Sequence, residues 1–282
     1  MQIIDGKKIR DDILEKIKKE VALLPFSPVF CDVLVGEDPV SIQYVSMKAR
    51  YAEKVGIKFH RAVFPSTITT LELVKEIEKI NKLENICGVI VQLPLPKALD
   101  KRAVLDSVDL NLDVDCLSSL ASDNFYKNNN KIGFPTALAC LKILDSLALD
   151  FKNKNIVVIG QGELVGRPIS ALLSFCGLEP KIITSNTENK EMIIKDADVV
   201  ISGIGRGKYI NGKMLKDGVI LIDAGTSESD SGIEGDIDLE SVKEKASFIS
   251  PVPGGVGPVT VAMLLNNVLQ VAKLKNNDSN FK

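Results

Sequence analysis

The chain has 282 residues, 45% of them hydrophobic and 26% charged, which excludes a disordered chain and suits one large or two ordinary domains. Its 35 Lys+Arg against 37 Asp+Glu leave a net charge of -2, which speaks against a nucleic-acid binder that works by counterion release. A single histidine, His60, excludes a histidine-based metal cluster and a two-histidine relay.

The chain opens with helical spacing of Ile9, Ile13, Leu14 and Ile17, which predicts a helix near 7–20. Val29 to Val35 is a short β-branched run between Pro28 and Gly36, read as a buried strand. A helix is predicted from Pro39 to Val55, capped by Gly56. Ile57 to Phe64 reads as a strand, Leu71 to Leu83 as a helix and Cys87 to Leu93 as a buried strand. This alternation predicts an α/β layer with a parallel sheet. Residues 116–134 are polar and Asn-rich, so they are expected to form a surface loop or hinge. A helix at 136–149 leads into a second α/β series. Its strands are Asn155–Ile159, Lys181–Ile183, Asp198–Ser202 and Val219–Asp223, with a helix from Leu164 to Phe175. A last helix is expected at 259–274, followed by a disordered Asn/Lys tail.

No run approaches the length of a membrane span, and the N-terminus lacks a signal peptide's apolar stretch, so a cytoplasmic protein without membrane partners is expected. Cys31, Cys87, Cys116, Cys140 and Cys176 are widely spaced with no C-x-x-C, so they read as reduced thiols and not as a zinc site. Cys116 stands beside Asp113 and Asp115, whose charges oppose a thiolate, so it is not expected to be a nucleophile. His60 reads as structural or surface.

The sharpest local signal is Gly160-Gln161-Gly162-Glu163-Leu164-Val165-Gly166, between a strand and a helix. Gly160 permits a tight turn, Gly162 lets backbone approach a phosphate, and the helix start offers free N–H groups. A plain glycine turn is the competing reading, and Glu163 argues mildly against a pyrophosphate. The next strand ends in Thr184-Ser185-Asn186-Thr187, without the acid that selects NAD or an Arg that clamps a 2′-phosphate. The choice between NAD and NADP stays open on these residues.

In the first half, Tyr44 and Lys48 are i,i+4 neighbours that share a helix face. A partly buried lysine there suits proton transfer, whereas a solvated lysine is the ordinary alternative. Gln92 lies at the carboxyl end of a parallel strand, where open α/β sheets bind ligands, although a capping amide fits equally well. Asp113-Val114-Asp115 reads by itself as a turn or cap. Pro251-Val252-Pro253-Gly254-Gly255-Val256-Gly257-Pro258 is stiff yet able to approach a ligand closely, so it reads as a ligand-contacting loop.

Taken in order, S-x-x-Y-V-x-x-K at 41–48, VQLPLP at 91–96, DVD at 113–115, GxGxxVGRP at 160–168 and PVPGGVGP at 251–258 resemble the bifunctional 5,10-methylenetetrahydrofolate dehydrogenase/5,10-methenyltetrahydrofolate cyclohydrolase family. The likeness runs from Asp5-Gly6-Lys7 to the final helix. It implies two α/β domains with a cleft between them. A folate domain would comprise 1–136 plus 262–282, and a Rossmann-like nucleotide domain 137–261. It implies a homodimer with the last helix packed on the first domain, a role in one-carbon metabolism and purine biosynthesis, and no metal.

The resemblance makes Lys48 the catalytic lysine, Tyr44 its partner near the pterin, Gln92 a hydrogen-bond partner of Lys48, and Asp115 the carboxylate for the amino-pyrimidine edge. It places Gly160, Gln161 and Gly162 at the phosphates and Ser185 at the 2′-phosphate pocket. Thr226, Gly257 and Thr260 line the nicotinamide half, and Pro253, Gly254 and Gly255 form a substrate loop. The expected cofactor is NADP, with NAD as the alternative, and the expected substrate is a tetrahydrofolate derivative.

Some residues depart from the family pattern. Cys116-Leu117 replace a glycine and an aromatic, Gly162 replaces a serine, Phe134 to Ala139 read FPTALA where P-C-T-P-x-G is usual, and no basic residue marks the adenosine phosphate. These changes motivate the alternatives of a monofunctional dehydrogenase or a catalytically impaired folate-binding relative. A different two-domain NAD(P) dehydrogenase would not explain VQLPLP together with Y-x-x-x-K.

Overall fold

A computed structural model describes residues 1–129, 132–229 and 232–279. The first elements are β1 (Gln2–Ile3), α1 (Gly6–Val21), β2 (Val29–Val35), α2 (Pro39–Lys54), β3 (Lys58–Phe64), α3 (Thr70–Ile80), β4 (Ile86–Val91), α4 (Lys101–Asp106) and α5 (Ser119–Tyr126). They are followed by α6 (Pro135–Ser146), β5 (Ile156–Ile159), α7 (Gly166–Phe175), β6 (Lys181–Ile183), α8 (Lys190–Lys195), β7 (Val199–Ser202), β8 (Val219–Asp223), β9 (Ser227–Ser229), β10 (Gly232–Glu234), β11 (Ala246–Ser250) and α9 (Val256–Ser279). Two compact units result: Met1–Asp11 with Thr136–Met263, and Asp12–Pro135 with Leu264 onward.

The unit that begins at Asp12 holds a parallel sheet of order β3-β2-β4. β2 is the central strand and is buried from Phe30 to Val35, which is why its sequence is almost continuously apolar. α2 starts where Asp38 caps it, accepting from the Ser41 N–H at 2.7 Å, with Pro39 preset for the first turn. The chain leaves α2 through Gly56 at φ +86°, a backbone region that other residues rarely adopt. α3 begins with a reciprocal capping box between Thr69 and Glu72. From Leu264 onward α9 belongs to this unit, and the buried Asn267 amide donates to the carbonyls of Val114 and Gly133 at 2.9 and 2.7 Å.

The other unit holds a six-stranded parallel sheet of order β1-β11-β8-β7-β5-β6. From β5 the chain goes to one neighbour, β6, and then returns to the other side as β7. That reversal makes a switch point at the carboxyl ends of β5 and β7. Its core gathers Val157, Ile159, Val200, Leu221 and Ile249.

Three expectations need correction. Residues 116–134 are not all loop, because α5 lies within them. Ser118 caps it, accepting from the Ala121 N–H at 3.4 Å, and Phe125 packs edge-on to Phe134 with ring centroids 5.0 Å apart. Residues 130–131 of that stretch lie outside the described ones. The tail is helical to Ser279, and the expectation of disorder beyond that falls outside the described residues. Residues 1–11 join the unit of 136–263, because β1 pairs with β11 (Ile3 opposite Ile249) and Gly6 packs on the 254–255 backbone.

Candidate active site

Two constellations stand out, one in each unit. The first begins on α2. Ser41, Val45, Lys48 and Tyr51 line its buried face, so Lys48 is held by packing and is not a solvated lysine. Its ammonium donates to Gln92 Oε1 at 2.7 Å and lies 2.7 Å from Asp32 Oδ2. Gln92 directly follows β4, and its own Nε2 donates to the Leu93 carbonyl at 2.9 Å. That bond orients the amide so that its oxygen faces Lys48. Tyr44 stands one helical turn before Lys48 with its ring exposed.

Asp32 is fully buried in β2. Sequence reading passed over it because it sits inside an apolar run. Neither carboxylate oxygen makes a well-angled hydrogen bond among the described residues, so the approach of Lys48 is an ion pair. Burial pushes the Asp32 carboxyl above the usual range, and the positive charges of Lys48 and Arg61 pull it partly back. Arg61 is the register partner of Asp32 on β3. A signal did exist: an ionisable residue inside a strand buried on both faces needs a partner.

Asp115 is half-buried just after the tight turn at Leu112–Val114. Burial pushes its carboxyl up to about 7, with Lys48 opposing and Asp113 and Asp32 adding to the rise. Asp113 is buried as a structural anchor: its carboxylate accepts from the Ser118 N–H at 2.7 Å and so starts α5. Cys116 adopts φ +59°, and its thiol is pushed up by burial and by Asp113 and Asp115. That protonated state does not suit a nucleophile. His60 is exposed on β3.

The second constellation lies at the switch point of the six-stranded sheet. Gly160 has φ +95°, and a side chain there would meet Ile204 Cγ2 at 2.8 Å and the Gly203 carbonyl at 3.1 Å. The space beside Gly162 is open, which leaves backbone accessible to a ligand. Gly166 was undervalued in the sequence. A Cβ there would lie 2.0 Å from the Gly160 carbonyl, so glycine is what lets α7 start against β5. α7 begins at Gly166 and not at Leu164, and no side chain caps it. The Gln161 amide is turned inward, donating to the Gly160 carbonyl at 2.8 Å and to Ser170 Oγ at 3.1 Å. Ser185 is exposed after β6, within a turn in which the Thr184 N–H donates to Thr187 Oγ1 at 2.9 Å.

Thr226 is exposed between β8 and β9. Gly257 faces open space, and the Thr260 hydroxyl donates to the Val256 carbonyl at 3.2 Å within α9. The 251–258 loop contains a cis Val252–Pro253 bond and Gly254 at φ +104°. The Gly255 N–H donates to the Pro251 carbonyl at 2.8 Å and closes the turn. Two buried carboxylates brace the neighbouring loops. Asp236 accepts from Ser202 Oγ and from the Ile204 and Arg206 N–H groups at 2.6–2.8 Å, while Asp223 accepts from Gly225, Asp236 and Ile237 N–H groups. Among the described residues no cluster of His, Cys, Asp or Glu has metal-binding geometry, and no helix is long and apolar enough to cross a membrane.

A Rossmann-like unit and a second parallel α/β unit with a buried lysine define a two-domain α/β enzyme architecture. The tetrahydrofolate dehydrogenase/cyclohydrolase catalytic-domain model matches residues 4–115, and the NAD(P)-binding-domain model of the same name matches residues 135–276. The chain belongs to the tetrahydrofolate dehydrogenase/cyclohydrolase family. It is 40% identical over 284 residues to the bifunctional protein FolD of Nautilia profundicola, covering 97% of this chain and 98% of that one. It is similar to the crystal structure of the bifunctional FolD enzyme from Campylobacter jejuni, with TM-score 0.93 and 34% identity over 98% of this chain and 99% of that one. It is also similar to the Trypanosoma brucei FolD structure complexed with NADP and an inhibitor, with TM-score 0.90 and 30% identity over 97% of both chains.

Proposed function

We propose that this chain oxidises 5,10-methylenetetrahydrofolate with a nicotinamide nucleotide and hydrolyses the resulting 5,10-methenyl compound to 10-formyltetrahydrofolate. The observation that carries the reading is the buried Lys48 ammonium aimed by Gln92 in the unit that contains the matched catalytic domain. Bifunctional relatives across nearly the whole chain favour this over a monofunctional or impaired enzyme.

For oxidation, hydride leaves the methylene carbon while the adjacent nitrogen lone pair forms the iminium. The step needs positioning more than a base. Asp115 would hold the amino-pyrimidine edge, and Tyr44 would lie against the pterin. The nucleotide supplies the hydride acceptor; Gly160, Gln161 and Gly162 would seat its phosphates on their backbone. Ser185 would stand near the ribose, Thr226, Gly257 and Thr260 near the nicotinamide, and Pro253 to Gly255 beside the substrate. The open backbone at Gly162 fits this role. For hydrolysis, Lys48 would move the proton of the attacking water. The departures at Cys116, Gly162 and Ala137 leave Lys48, Gln92, Tyr44 and Asp115 in place.

With burial pushing the Asp115 carboxyl up to about 7, it is expected to be charged above that pH and neutral below it. The KM for the folate is therefore expected to rise as pH falls through about 7, and Asp115→Asn to flatten that dependence at a raised KM. Initial rates across pH check this. An unchanged KM profile in the variant would remove Asp115 from the pterin site.

We further infer a modest preference for NADP, since β6 ends without an acidic residue to repel a 2′-phosphate. A homodimer and a cytoplasmic location fit the same reading. Side-by-side assays with methylenetetrahydrofolate and either nucleotide test it. Turnover with neither would overturn the enzyme assignment, and at least about tenfold better efficiency with NAD (about 1.4 kcal/mol) would overturn the preference.

A further inference from the structure

In the three-stranded sheet, Asp32 stands on the central strand with Arg61 opposite it on β3 and the apolar Ile90 opposite it on β4. Arg61 Nη2 reaches Ser46 Oγ on α2 at 3.1 Å. Lys48, from the same helix, reaches Asp32 Oδ2 at 2.7 Å. The charge of Asp32 in turn raises the Cys31 thiol and the Asp115 carboxyl, and Asp113 adds to the rise at Asp115. Packing alone does not explain Asp32. It is fully buried, and both of its oxygens lack a well-angled hydrogen bond among the described residues. An apolar residue in β2 would avoid that desolvation cost.

The ammonium offers three N–H donors. Gln92 Oε1 accepts from one of them, and Asp32 Oδ2 stands 2.7 Å from the same nitrogen as its ion-pair partner.

We propose that Asp32 is a positioning and proton-accepting partner of Lys48 in the hydrolytic reaction, a role that rests on the bifunctional reading above. Water attacks the methenyl carbon and forms a C–O bond. Its proton passes to Lys48 Nζ as a Lys48 N–H proton moves to Asp32 Oδ2. The carbinolamine then collapses: its hydroxyl loses the second proton, C=O forms and the bond to N5 breaks. One of the two protons is delivered to N5 and the other is released. Cationic methenyltetrahydrofolate plus water thus becomes neutral 10-formyltetrahydrofolate plus one proton, with no change in oxidation state.

The raised Asp32 carboxyl is consistent with an acceptor that fills as pH falls. The hydrolytic kcat should therefore show an acidic limb that belongs to Asp32 and is separate from the KM effect of Asp115.

The test supplies 5,10-methenyltetrahydrofolate to the full-length wild type and to Asp32→Asn across pH, with the dehydrogenase measured in parallel. The ratio of hydrolytic to dehydrogenase kcat is expected to fall at least about tenfold, within the range of general acid–base catalysis, and the acidic limb of hydrolytic kcat to vanish. Persistence of the limb in Asp32→Asn assigns it elsewhere, Asp115 first, and overturns the proposal. A parallel fall of both activities with an unchanged pH profile makes Asp32 merely structural and also overturns it. Absence of hydrolysis in the wild type defeats the bifunctional reading and this proposal with it, a distinct result. If Asp32→Asn does not fold, carboxyl ¹³C NMR of the wild type decides. An Asp32 resonance that titrates with the limb supports the proposal, and one that stays constant across it overturns it.

Discussion

Lys48→Met is expected to lower hydrolysis of methenyltetrahydrofolate at least about a hundredfold, the range for removing a positioned general acid or base. Methionine keeps most of the aliphatic stem in the buried face of α2 and loses the charged head that meets Gln92 and Asp32. Breaking a buried ion pair costs about 3–5 kcal/mol when the orphaned charge persists. Asp32 escapes part of that cost, because burial already favours its protonated form. The variant should therefore fold with a lowered melting temperature, measured by circular dichroism. Hydride transfer needs no base, so the dehydrogenase should fall far less than the hydrolase. Hydrolysis at the wild-type rate in folded Lys48→Met would remove Lys48 from the chemistry.

Gly166→Ala is expected to produce the opposite pattern. The added methyl would lie 2.0 Å from the Gly160 carbonyl and 3.1 Å from the Gln161 nitrogen, both backbone atoms. Neither can rotate away, so α7 must shift off β5 or the glycine turn must open. Overpacking of this kind costs about 1–3 kcal/mol. Either shift disrupts the backbone that would receive the nucleotide phosphates. We expect NADP affinity, measured by calorimetry, to fall at least about tenfold, or about 1.4 kcal/mol. Dehydrogenase efficiency should fall with it. Hydrolysis of supplied methenyltetrahydrofolate, which needs no nucleotide, should stay within a few-fold of wild type. Normal NADP binding in this variant would contradict the role given to the Gly160–Gly166 turn.

The parallel architecture was legible because β2, β4, β5, β7 and β8 are short apolar runs bounded by turn residues, as strands buried on both faces must be. The pairing of Lys48 with Gln92 came only through the family likeness. The two residues are 44 positions apart, and neither carries a sign of the other. Asp32 was hidden for a related reason. A lone acid in β2 looks like an interruption until the register places it beside α2 and Arg61. α5 escaped notice because it is short and set in an Asn-rich stretch: only Ala121 and Phe125, four residues apart, are buried, and its start is fixed by Ser118 and by the Asp113 carboxylate five residues before it. The partnership of residues 1–11 with the nucleotide-binding unit escaped for want of length, since β1 has two residues and draws its order from β11.

The most direct test follows products in one reaction of wild-type protein, methylenetetrahydrofolate and NADP, with rapid quenching and chromatographic separation. The account predicts that 10-formyltetrahydrofolate appears faster than methenyltetrahydrofolate hydrolyses in buffer alone, in step with NADPH. NADPH formation with methenyltetrahydrofolate accumulating and decaying only at the buffer rate would contradict it.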